Sequence, residues 1–168
     1  MIKQLSLAFV LVAVTSSFSV AQSRGPSTPE ERQQLVAFTR SLEADPFGDK
    51  ALDYRRWLVT FLTDVPDISV VICSGPIEPL LKSKKNYSAE LTGQQMFGEA
   101  AFMVEHPDKA TDSNAVQAAG LESIIATYQA ILKTKPKATW PYLDDLISKR
   151  KTPEWAAAVN KLTGSCGK

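Results

Sequence analysis

The sequence predicts an all-α fold: a single compact domain of six or seven helices, in orthogonal or bundle-like packing, behind a cleaved signal peptide. Three observations predict it. Apolar residues recur at spacings near 3.6 through most of the chain after residue 29. Short segments rich in Pro, Asp and Ser separate these periodic stretches and supply caps and stops. One stretch alone, Ile68–Cys73, is β-branched enough to suggest a strand, and nothing else in the chain looks like its pairing partner.

Residues 1–21 read as a secretory signal. Lys3 gives the positive start, Leu5–Val14 is the apolar core, and Ser19, Val20 and Ala21 place small residues where a signal peptidase cuts. The core is too short to span a bilayer, so no stable membrane anchor is expected. Residues 22–28 are expected to be a flexible segment, and residues 29–168 the helical domain.

The first helix opens at Thr28-Pro29-Glu30-Glu31, a capping box with proline at the first helical position. Leu35, Phe38 and Leu42 share one face, and Asp45-Pro46 stops it. A second helix follows Asp49, with Leu52, Trp57, Leu58, Phe61, Leu62 and Val65 in helical spacing before Pro66. Ile68–Cys73 is assigned a short buried helix, because an isolated strand leaves its backbone groups unpaired. Ser74-Gly75-Pro76 should end that helix, and Pro79 start another. Ser88–His106 is helical on Leu91, Met96, Phe97, Ala101, Phe102 and Val104, and this helix is allowed to reach back through Tyr87 to Pro79. Asp112-Ser113-Asn114 caps a helix to about Lys133, whose core face is Leu121, Ile124, Ile125, Tyr128, Ile131 and Leu132. Pro141 opens a shorter helix, and Thr152-Pro153-Glu154 the last one. Gly98 and Gly120 fall inside helices, where each costs about 1 kcal/mol relative to alanine. Close approach of two helices would offset that cost.

The composition, 44% hydrophobic and 22% charged with a formal charge of +1, is that of an ordinary globular domain. Removing the signal takes away only Lys3 from the charged set, leaving a net charge of zero. There is no global field to draw the protein to nucleic acid or anionic lipid, so nucleic acid is not expected as a partner. Export puts Cys73 and Cys166 in an oxidising compartment and predicts a disulfide between them. A bridge closing so long a loop contributes about 4–5 kcal/mol in the chain-entropy model.

A single histidine, His106, rules out zinc sites built from several histidines. The sequence has no CxxC pair, no haem-attachment motif, no glycine-rich phosphate loop and no GxSxG turn. No cofactor is expected. Met96, Met103 and His106 share one helical face and are a remote metal possibility. Cys73 with His106 would make a thiol nucleophile only if the disulfide did not form. Asp53, Glu99, Glu105, Asp144 and Asp145 are the acidic candidates for a carboxylate pair. Three basic groups stand out: Lys82, Lys84 and Lys85; Lys133, Lys135 and Lys137; Lys149, Arg150 and Lys151. Most fall at helix C-termini, where cations offset the dipole. By elimination, the expected function is a non-catalytic binding or interaction domain, with an unknown protein or a small anionic ligand as partner. Tyr54, Arg55, Arg56, Trp57, Trp140 and Tyr142 are the expected contact residues, because aromatics and Arg dominate binding surfaces. The alternatives are a hydrolase using a carboxylate pair or a cysteine, and a structural protein of the periplasm without a dedicated pocket.

Overall fold

Thr28 decides where the first helix begins. Its hydroxyl accepts from the Glu31 backbone N–H at 3.2 Å, and the Glu31 carboxylate accepts from the Thr28 N–H at 2.9 Å, so two unsatisfied donors of the first turn are met. The structure, a computed structural model, describes residues 24–83, 85–164 and 166. The expected signal peptide lies outside them. Among the described residues there are seven α-helices and no strand. They are α1 (Pro29–Ala44), α2 (Ala51–Asp64), α3 (Ser74–Leu81), α4 (Ser88–Glu105), α5 (Ser113–Thr134), α6 (Pro141–Lys149) and α7 (Trp155–Thr163). A single 3-10 turn, Pro107–Lys109, links α4 to α5. Asp112 caps α5 by accepting from the Ala115 N–H at 3.1 Å.

The long helices α4 and α5 form the most extensive packed pair, with α1 against both. Glycine permits it. A Cβ on Gly120 would stand 2.8 Å from Glu99 Cγ and 2.9 Å from Gln95 Cγ, and one on Gly98 would collide with the Ser123 side chain. Two apolar clusters flank this pair. One joins α1, α2 and α4 through Leu35, Leu42, Leu58, Phe61, Phe97 and Ala101. The other joins α3, α5, α6 and α7 through Ile77, Leu80, Ile124, Tyr128, Leu143 and Val159, with Leu91 of α4. Between them runs a polar seam of fully or nearly fully buried Thr39, Gln94, Gln95, Glu99, Gln117, Ser123 and Thr127.

Cys73 and Cys166 are bridged, with Cα atoms 5.4 Å apart. That separation lies in the range a disulfide spans without moving backbone. The bond ties the start of α3 to the tail beyond α7. No helix among the described residues is long and apolar enough to cross a membrane.

The segment before α3 departs from expectation. Ile68–Cys73 is not a buried helix but an extended connection: Ile68 and Cys73 are buried, while Val71 and Ile72 are exposed. The backbone partner that the strand lacked comes from a side chain, since Gln117 Nε2 donates to the Val71 carbonyl at 2.6 Å. Ser74-Gly75-Pro76 opens α3 rather than ending a helix, and Pro79 lies inside α3. Nor does α4 reach back to Pro79. Asn86 and Tyr87 have φ of 51° and 62°, a left-handed conformation that interrupts any helix of L-residues. Asn86 is held there by bonds to the 139–140 loop: its Nδ2 donates to Thr139 O at 3.0 Å and its carbonyl accepts from Trp140 Nε1 at 2.9 Å.

Candidate ligand-binding cleft

On α5, Ala115, Ala118, Ala119, Glu122, Ser123 and Ala126 recur every three or four residues and so share one face. The alanines are too small to reach a neighbouring helix, and the face becomes the floor of a cleft of about 520 Å3. That volume lies in the roughly 300–1,000 Å3 range of small-molecule sites. Arg40 and Glu43 of α1 and Gly98 and Phe102 of α4 form one wall. Arg150, which follows α6, and Trp155, which starts α7, contribute the other, and Lys109 enters from the 3-10 turn before α5.

Charge is arranged unevenly around this floor. Glu43 sits in the last turn of α1, where the helix dipole disfavours a negative charge. Two donors offset it: Arg40 NH1 at 2.7 Å and the Ser123 hydroxyl at 2.5 Å, both on Oε1, while Oε2 accepts no hydrogen bond among the described residues. Arg40 also donates to Glu105 at 2.5 Å. Burial works against the Arg40 charge, but the two carboxylates outweigh it and hold its pKa above the usual value. Across the floor, burial raises the pKa of Glu122, against the opposing pull of Arg150. Arg150 NH2 lies 2.7 Å from Glu122 Oε2, yet no N–H is aimed at that oxygen, so the pair is close but misaligned. Lys109 is exposed and has no ion-pair partner among the described residues. A cleft so lined can hold an apolar body against Phe102 and Trp155 and meet charged ends at its rim.

The six expected contact residues fall into two groups on different apolar clusters. Tyr54 stacks on Phe38 at 4.0 Å, and Trp57 lies against Phe38 and Phe61. Arg55 donates to the Pro46 carbonyl at 2.7 Å, its pKa lowered by burial, and Arg56 is exposed beside Asp53. Trp140 donates to Asn86 as above, and Tyr142 donates to Pro76 O at 2.8 Å, burial pushing its phenol up to about 12. None of the six lines the cleft. Met96 packs in the α1–α2–α4 cluster, Met103 lines a smaller hollow with Arg32 and Asp67, and the His106 ring lies 4.7 Å from Phe102. The acidic candidates are each engaged separately. Asp53 lies beside Arg56, Glu105 pairs with Arg40, Asp144 accepts from the Tyr128 hydroxyl at 2.7 Å, Asp145 pairs with Lys149, and Glu99 is buried in the seam. Cys73 is in the disulfide and is not a free thiol.

Sequence reasoning passed over Glu43, Lys109, Glu122, Ser123 and Trp155. One signal pointed to them: a helix face made of alanine at every turn, broken only by Glu122 and Ser123, cannot fill a core. No known family model, curated protein or solved structure matches this chain.

Proposed function

We propose that the protein is an exported, soluble, non-catalytic helical domain that binds a small organic molecule carrying an anionic group in the α1–α4–α5 cleft. The observation that carries this reading is Lys109, a cation without a counter-ion at the mouth of an alanine-floored cleft of about 520 Å3. A charged donor left free at the rim of an apolar hollow is the arrangement that fixes the orientation of a ligand. Export is supported by the pattern of residues 1–21 and by the Cys73–Cys166 bridge, which persists only in an oxidising compartment. The absence of turnover is supported by what surrounds Ser123: its hydroxyl is held by Glu43 and Gln94, with no imidazole to take its proton.

Native mass spectrometry of the protein purified from its own host tests this. The expected spectrum carries a small-molecule adduct that denaturation releases and that Lys109→Ala loses. A bare mass in the wild type, with no organic acid in a screening panel perturbing the Trp155 indole resonance, would overturn the proposal.

A further inference from the structure

The charge layout of the cleft narrows the ligand further, and the step rests on the binding reading just given. We infer that the ligand is a short peptide of about three residues with both termini free, its carboxylate on Lys109 and its amino terminus between Glu43 and Glu122.

Two oxygens ask for a donor. Glu43 uses Oε1 for both Arg40 and Ser123 and leaves Oε2 without a bond, and Glu122 Oε2 is close to Arg150 but has no N–H directed at it. The two carboxylates come from different helices and reach the same cleft, Glu122 being the neighbour of the serine that Glu43 holds. An ammonium has three donors and meets such a pair without displacing either arginine. Glu43 and Glu122 are each already balanced by one arginine, which keeps them from repelling an anionic ligand outright.

Spacing separates a peptide from a single amino acid. Lys109 lies one turn ahead of α5, its carbonyl accepting from Asp112 N at 3.0 Å, so its ammonium enters at the N-terminal end of the floor. Glu122 lies two turns beyond Ala115, about 10 Å along the helix axis. An amino acid is too short to bridge that gap, whereas three extended residues span about 10 Å. The floor from Ala115 to Ala126 measures about 16 Å, which leaves room for the side chains of such a peptide but not for a long one.

Isothermal titration with trialanine, N-acetyl-trialanine and trialanine amide tests the inference. Trialanine should bind, and capping either end should weaken it by at least about tenfold. In Glu122→Gln the acetyl penalty should shrink to under about threefold while the amide penalty remains, and in Lys109→Ala the reverse should hold. Glu43→Gln, which keeps the acceptor for Ser123, stands in if Glu122→Gln loses its circular-dichroism signature. Equal binding of the acetylated peptide would sink the peptide inference and leave the anion-binding reading intact. Failure of all three peptides to bind at about 10 mM would sink it too, whereas the broader reading stands or falls on the host-purified adduct.

Discussion

At the scale of single residues, Glu99 is the most exposed to test because it is the least exposed to water. Its side chain is wholly buried between α4 and α5. Gln95 Nε2 donates to Oε1 at 2.8 Å, and Oε2 has no partner. Burial pushes its pKa from 4.5 up to about 7, and the Gln95 bond only partly opposes this. A folded-state value above the unfolded one means the folded protein holds more protons between those two values. The stability that Glu99 contributes is therefore fully present below pH 4.5 and is lost as pH rises through about 7. Glu99→Gln, which mimics the neutral acid, should match the wild type in thermal melting at pH 4.5. At pH 8.5 it should melt higher by at least about 3 °C. Parallel melting curves at both values would show that the carboxylate is charged and accommodated. Glu99 was legible in the sequence only as one acid among five, because its surroundings come from Gln95 four residues away and from Gln117 and Gly120 on another helix.

Among the elements, the connection between α2 and α3 depends on one side chain. Gln117 bonds Val71 O with its amide nitrogen and accepts from Gln95 with its oxygen, so it joins an extended loop to the seam. Gln117→Leu removes both bonds and leaves buried groups unsatisfied, at a cost of about 1–3 kcal/mol. The expected result is faster hydrogen exchange confined to residues 66–73 and new proteolytic cleavage near the exposed Val71 and Ile72. An exchange pattern unchanged there would mean that Ile68 and the disulfide hold the loop unaided. This connection also marks how far the sequence could be read. Five of the helices were legible because caps and stops frame them: Thr28 and Pro29, Asp112, Pro141, Pro107 and Pro46 each act within their own turn. Ile68–Cys73 was not, because its backbone is satisfied by a residue more than forty positions away. The break at Asn86 and Tyr87 was hidden for the same reason, its left-handed backbone being held by Thr139 and Trp140. Local periodicity reports propensity, and both places are set by tertiary contacts instead.

For the whole molecule, the Cys73–Cys166 bridge is the largest single constraint, closing a loop with a sequence separation of 93. Replacing both cysteines by serine should cost about 2–5 kcal/mol, read as a drop in melting temperature of roughly 5–15 °C, with the circular-dichroism spectrum still helical. A drop under about 2 °C would place the stability in the two apolar clusters instead. The all-α architecture and the pairing of the cysteines followed from periodicity and from cysteine count in an exported chain. The cleft did not. It arises where α1 and the α6–α7 corner both stop short of the alanine face of α5, a juxtaposition that no stretch of sequence contains.

Both ends of the covalent tie fall on the α3–α7 side of the seam, so the walls of the cleft differ in kind. The Trp155 wall belongs to the stapled half. The Arg40 wall rides on α1, which nothing but packing and ion pairs restrains. The molecule is thus built like a clamp with one fixed jaw and one compliant jaw, and a guest that fills the gap would be gripped by movement of the latter.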